Sequence, residues 1–265
     1  MKEKRRSAHA HPSEIARSLL AVGESKARLP FGKMLLLAIL AGAYIALAGV
    51  GATAAAVTVE SGSLAKLLSA CVFPAGLSMV ILAGSELFTG NCLMVMALLE
   101  RRITPVQLLR NWLTVYLGNA VGGAAVAALA VYSHTASLFG DGLARSMVSI
   151  AESKAALGAG DAFLRGVLCN FLVCLAVWMA AASKRAEGKV IALFFPILLF
   201  VLCGYEHCIA NLYYLPAGAF AAAEYGVETT LTLAGCLENL AAVTLGNLVG
   251  GAALGVGYRF AYLKE

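Results

Sequence analysis

Gly84-Ser85-Glu86-Leu87-Phe88-Thr89-Gly90-Asn91 and Gly204-Tyr205-Glu206-His207-Cys208-Ile209-Ala210-Asn211 decide how this chain folds. Both read Gly-x-Glu-x-x-x-x-Asn, they lie 120 residues apart, and both interrupt long apolar runs. A second pair follows at an offset of 128. Val115-Tyr116-Leu117-Gly118-Asn119-Ala120-Val121-Gly122-Gly123 matches Val243-Thr244-Leu245-Gly246-Asn247-Leu248-Val249-Gly250-Gly251 at seven of nine positions. Such self-similarity marks two halves of one ancestral unit. In a membrane protein, apolar segments interrupted at matching places in two halves point to a translocation site.

The composition agrees with a membrane setting. Hydrophobic residues make up 60% of the 265, charged residues 13%, and the mean hydropathy is +0.82. Soluble domains carry about 25% charged residues. Six spans are expected, over 34–59, 66–98, 111–132, 162–183, 190–222 and 239–262. Each exceeds the ~20 residues that cross ~30 Å of hydrocarbon as a helix. The second and fifth are too long for one straight helix and carry the Glu-containing repeat, so both are expected to break within the membrane. The start, Met1-Lys2-Glu3-Lys4-Arg5-Arg6, is charged with no apolar run close behind, so no signal peptide is expected.

With the N-terminus inside, sixteen of the twenty Lys and Arg fall on inner segments; Lys66, Arg145, Lys154 and Arg165 fall outside. That asymmetry predicts cytoplasmic termini. The net charge of +5 follows from it, and no basic face interleaved with aromatics suggests nucleic acid. Each half holds three spans, an odd number, so the halves should be inverted about an axis in the membrane plane. The expected organisation is a cytoplasmic N-terminal segment over 1–33, a channel domain over 34–262 and a cytoplasmic end over 263–265. Within the first, Ile15, Leu19 and Val22 recur at helical spacing over 12–28, an amphipathic helix on the inner surface. The external connection 133–160 is expected to hold a helical turn.

Ionisable groups inside a span cost about 3 kcal/mol even on lenient scales. Glu86 and Glu206 have two readings: each supports a helix break, or each lines a pathway. His207 has no counterpart, since the repeat aligns it with Leu87. It is either a hydrogen-bonded core histidine or a pathway group able to carry a proton. Cys203, His207 and Cys208 match no standard metal spacing, and His9, His11 and His134 lie outside the spans, which disfavours haem. No cofactor is expected, and no nucleotide-binding glycine motif occurs. The seven cysteines read as small core residues, with Cys236 in doubt. Gly90 permits a non-helical turn at which Thr89 and Asn91 satisfy freed backbone groups. Asn119 and Asn247 read as interhelical hydrogen-bonders among small packing residues.

Phe88-Thr89 behind an acidic residue, Asn111-Trp112-Leu113 through Asn119, Cys174-Leu175-Ala176-Val177-Trp178-Met179, and Gly204 through Pro216 together resemble the formate/nitrite transporter family. The resemblance runs from about residue 12 to the end. It implies an all-α, aquaporin-like membrane protein with six helices as two inverted three-helix repeats. It implies a homopentamer in a bacterial or archaeal plasma membrane, with one pore per protomer for a small monovalent anion such as formate, nitrite or hydrosulfide. It also implies that His207 is the central pore histidine, that Thr89 hydrogen-bonds it, and that Asn170 and Asn211 are nearby polar partners. Lys154 would be an outer-vestibule lysine, and Phe73, Leu77, Leu87 and Phe200 the apolar constrictions on either side of the histidine. The family's formate channels carry Asp where this chain has Glu86. Two rival functions are a neutral-solute channel, marked by glycerol or water flux indifferent to anion gradients, and a membrane redox enzyme using His207 as a ligand, marked by a cofactor spectrum.

Overall fold

Proline or a small polar residue starts several helices of this chain, and a left-handed glycine stops three of them. The structure, a computed structural model, describes residues 9–264. The charged start over 1–8 and Glu265, both assigned above to cytoplasmic ends, lie outside the described residues. α1 (Pro12–Ala27) opens with a capping box: the His11 side chain accepts from the backbone while Glu14 reaches back to the His11 N–H. α2 spans Phe31–Ala56, α3 Gly62–Val72 and α4 Pro74–Ala83. Pro74 lacks an N–H and separates α3 from α4. α4 stops at Gly84, whose φ of 80° is left-handed. After an extended stretch come α5 (Phe88–Asn91), a 3₁₀ turn over Cys92–Met94, and α6 (Val95–Leu99).

α7 (Pro105–Tyr132) starts on a Thr104–Gln107 capping box. The connection expected to hold a helical turn holds more: a 3₁₀ turn at Thr135–Ser137 and α8 (Gly142–Ala155), fourteen residues long. α9 spans Ala159–Ala182 and α10 Ala186–Leu202. Gly204, at φ 69°, closes α10, and α11 runs Cys208–Tyr225. α12 (Leu233–Tyr262) begins on the Thr232 hydroxyl, which accepts from Gly235 N–H.

Among the described residues, five helical stretches are long and apolar enough to cross a membrane: Phe31–Ala56, Gly62–Ala83, Pro105–Tyr132, Ala159–Ala182 and Leu233–Tyr262. All five begin three to six residues before the expected spans, because each helix takes in a first turn ahead of its apolar run. Over 190–222 the chain forms two shorter helices, α10 and α11, in place of one long span.

α2 packs along α7, and α9 along α12, at backbone contact. A Cβ on Gly122 would run into the Ile39 carbonyl, and one on Gly250 into the Val167 carbonyl. These glycines are the packing residues of the Leu-Gly-Asn-x-Val-Gly-Gly repeats, and small residues are what let membrane helices approach this closely. α1 buries Ile15, Ala16 and Leu20 against Met94, Met96, Ala97 and Ile103. Its apolar side is therefore taken up by the bundle, with Val22 left exposed. Cys92, Cys169, Cys174 and Cys208 are buried as expected, but Cys71 and Cys203 are exposed on the chain's surface and are not core residues.

Candidate functional site

Both breaks are built alike. At the first, Glu86 N–H donates to the Leu37 carbonyl (3.2 Å). Asn119 Oδ1 accepts from Phe88 N–H (3.0 Å), and its Nδ2 donates to the carbonyls of Ala38 (2.7 Å) and Glu86 (2.9 Å). At the second, Glu206 N–H donates to the Arg165 carbonyl (3.3 Å). Asn247 Oδ1 accepts from Cys208 N–H (2.9 Å), and its Nδ2 donates to the carbonyls of Gly166 (2.8 Å) and Glu206 (2.9 Å). Every partner is displaced by 120 or 128 residues, the offsets of the repeats. One buried asparagine thus clamps each non-helical stretch to the neighbouring helix, satisfying backbone groups that water cannot reach at this depth.

The acids are held the same way. Lys26 Nζ meets Glu86 Oε1 and Asn91 Oδ1, each at 2.8 Å, and Asn91 Nδ2 donates to Glu86 Oε2 (2.8 Å) and Asn111 Oδ1 (2.9 Å). Lys154 Nζ meets both oxygens of Glu206 (2.9 and 3.0 Å), and Asn211 Nδ2 donates to Glu206 Oε2 (2.7 Å) and Asn239 Oδ1 (2.8 Å). Lys26, Asn111 and Asn239 were not singled out in the sequence. The signal was available: Lys26 lies 128 residues before Lys154, and Asn111 lies 128 before Asn239.

His207 caps α11. Its Nδ1 accepts from Ala210 N–H at 3.1 Å, and its Nε2 lies 3.0 Å from Thr89 Oγ1. Because Nδ1 is an acceptor, the neutral ring carries its hydrogen on Nε2 and donates it to Thr89. The predicted Thr89–His207 pair is therefore present. Asn170 and Asn211, expected as nearby polar partners, bond the backbone on either side of this pair and not the imidazole itself. Asn170 Nδ2 donates to the carbonyls of Thr89 (3.2 Å) and Asn247 (2.7 Å), and Asn211 serves Glu206. Gly90 was expected in a non-helical turn but lies inside α5; the turn is at Gly84, six residues earlier, where the left-handed backbone is.

Two cavities of about 350 Å³ each flank this centre. One is lined by Lys26, Glu86, Leu77, Leu87 and Lys189, the other by Lys66, Lys154, Arg165, Glu206, Phe73 and Phe200. Between them lies a waist of about 10 Å³, walled by Ile45, Phe73, Leu77, Leu87, Val173, Ile197, Phe200 and His207. Leu77 and Leu87 face the first cavity and the waist, Phe73 and Phe200 the second cavity and the waist. The Phe73 and Phe200 rings meet edge-on at 5.7 Å, and Phe200 lies 5.8 Å from the His207 ring. The four constriction residues are 3–4% exposed, so this passage is closed to bulk water.

Apolar helices, clamped breaks and two charged cavities meeting at an apolar waist define a multi-pass membrane protein of transporter architecture. The model of the formate/nitrite transporter family matches residues 13–261, and the chain belongs to that family. Its members are transporters and channels, not enzymes. A probable formate transporter of Methanothermobacter thermautotrophicus is 39% identical over 96% of this chain and 97% of its own length. The formate channel FocA of Haemophilus influenzae is 39% identical over 83% of each chain. Among solved structures, a pentameric formate channel with formate bound superposes with a TM-score of 0.78 at 32% identity, covering 88% of this chain and 98% of that one.

Proposed function

We propose that each protomer is a channel-like, proton-coupled path for a small monovalent anion or its conjugate acid. Formate is the first candidate, since relatives at 39% identity bear that name; nitrite and hydrosulfide share its size and charge. The waist carries this reading. A bare anion crossing an apolar slit of about 10 Å³ finds nothing to replace its water, whereas a neutral acid avoids that cost. The lysine-bearing cavities supply anion on either side, and His207 is the ionisable group between them.

The proton step follows from the ring's bonds. As held, the ring is neutral and offers only the Nε2 hydrogen, whose loss would leave an imidazolate. To hand a proton on, it must first gain one at Nδ1, which displaces the Ala210 N–H. Proton loading is thereby coupled to the N-cap of α11, and the Nε2 proton then passes to the anion in the waist.

The same reading extends to the assembly. Six crossings are formed when α3–α4 with α5–α6, and α10 with α11, each serve as one broken span. The shared offsets of the two clamps support two inverted halves. The cytoplasm holds both termini, of a plasma membrane in a bacterium or archaeon, and five copies assemble as in the pentameric relative. The Lys154 cavity then faces outward and the Lys26 cavity inward. The deciding experiment is side-by-side flux of formate, nitrite, hydrosulfide and glycerol in proteoliposomes at several pH values. Anion uptake rising as external pH falls is expected. Glycerol flux without anion flux overturns the proposal.

A further inference from the structure

The Lys154 cavity contains more positive charge than its ion pair accounts for. It is lined by three cations, Lys66, Lys154 and Arg165, against one carboxylate, Glu206. Lys154 already spends its charge: its Nζ bridges both Glu206 oxygens, and its side chain is only 15% exposed. Lys66 and Arg165 are exposed, and neither has a carboxylate within ion-pair distance among the described residues. The repeat does not duplicate them. At the offset of 120 that relates the broken spans, Lys66 corresponds to Ala186, and at the offset of 128 Arg165 corresponds to Leu37. The Glu–Lys clamp, by contrast, occurs in both halves, at Lys26–Glu86 and Lys154–Glu206. The other cavity has one cation beyond its clamp, Lys189, against two here.

We infer that Lys66 and Arg165 are the anion-gathering residues of this cavity, and that Lys154 is a positioning residue that holds Glu206 and the loop before His207. The ligand class is a small monovalent anion, so the inference rests on the function proposed above but assigns the attraction to residues outside the clamp. An ion pair in contact looks neutral to an anion several ångströms away. Two unpartnered cations at one mouth do not, and a narrow cleft with low-dielectric walls concentrates their field.

The test reads local potential without requiring transport. Ser153 lines the cavity. Ser153→Cys is placed in a chain with Cys71, Cys203 and Cys236 changed to Ser, and its rates with negatively and positively charged methanethiosulfonates are compared at 0.01 M salt. In Lys66→Gln/Arg165→Gln, the ratio of anionic to cationic rate should fall by roughly tenfold, since two unit charges act on both reagents. The difference should shrink at 1 M salt, where the Debye length is about 3 Å. Lys154→Gln/Glu206→Gln removes a neutral pair, keeps the excess of two charges, and should hold the ratio near its starting value. An unchanged ratio in the Lys66/Arg165 variant overturns the inference, as does a fall in the Lys154/Glu206 variant equal to that in the first. Should the Lys154/Glu206 variant not fold, the Lys66/Arg165 arm decides alone. A chain that carries no anion in proteoliposomes yet shows the expected ratios would sink the transport reading and leave this one standing.

Discussion

At the scale of single residues, His207 joins two duties that are usually separate: it caps α11 through Nδ1 and faces Thr89 through Nε2. A substitution that removes the proton without removing the cap separates them. Asparagine is among the strongest N-cap residues, so His207→Asn should keep α11 anchored while losing the titratable group. The expected outcome is a folded oligomer whose uptake of weak acid no longer rises as pH falls. Wild-type pH dependence in that variant would remove His207 from the mechanism. The walls of the waist make a different prediction. Phe200→Ala or Leu77→Ala opens a slit already walled by side chains, so passage of larger monocarboxylates should rise several-fold with little change in melting temperature. Unaltered selectivity would misplace the constrictions. The residues that sequence reasoning found are those that break a pattern, such as an acid or histidine in an apolar run. Lys26 escaped because it sits on a polar helix outside every span, where a lysine is unremarkable; only the 128-residue offset to Lys154 sets it apart.

At the scale of elements, the clamped breaks are the parts most exposed to damage. Asn119 and Asn247 each hold one N–H and two carbonyls that have no water to turn to. Leaving such groups unpaired costs about 1–3 kcal/mol apiece. Asn119→Ala and Asn247→Ala should therefore each destabilise by several kcal/mol, and by similar amounts, read as melting temperature in detergent. A loss in only one of them would mean that the two breaks are not equivalent. Their positions were only half legible. The repeats predicted interruptions, but glycine's backbone freedom suggested Gly90, whereas the left-handed turn is at Gly84, and Gly90 packs within α5 near Val177. Sequence shows which residues permit a turn; the hydrogen bonds of the neighbouring helix choose among them. The α11–α12 connection carries a further clasp. Glu152 Oε1 accepts from Thr230 N–H (2.6 Å) and the Thr229 hydroxyl (2.9 Å). These bonds, the Thr230 N–H foremost, hold its pKa below the ordinary carboxylate value. A depressed carboxylate lends stability above its unfolded pKa and loses it as pH falls through the folded one. Glu152→Gln should speed amide exchange over 226–232 at neutral pH and make no difference in acid. Equal exchange at neutral pH would show the clasp to be idle.

At the scale of the whole molecule, two independent arguments meet on one topology. The sixteen-to-four distribution of Lys and Arg concerns loops. The matching clamps concern the interior, and pair Leu37, Ala38 and Glu86 with Arg165, Gly166 and Glu206. They share only Arg165, whose side chain enters the first and whose backbone carbonyl enters the second. If the halves are inverted, α1 and α8 are counterparts on opposite faces, which explains why Lys26 ends one and Lys154 ends the other, each reaching inward to an acid. A parallel arrangement would put both clamp lysines on one face, whereas each of the two cavities has one of them. Arg28→Cys, Lys184→Cys and Lys264→Cys should therefore react with a membrane-impermeant thiol reagent from the same side, and His134→Cys and Thr229→Cys from the other. Each is introduced singly into a chain whose exposed cysteines are replaced, and labelled in intact cells and in inverted vesicles. Labelling of position 264 from the side that labels position 134 would require an even number of crossings between them, where the six-span reading has three. That result would undo the six-span reading, the inversion of the halves, and with them the assignment of the Lys154 cavity to the outer mouth.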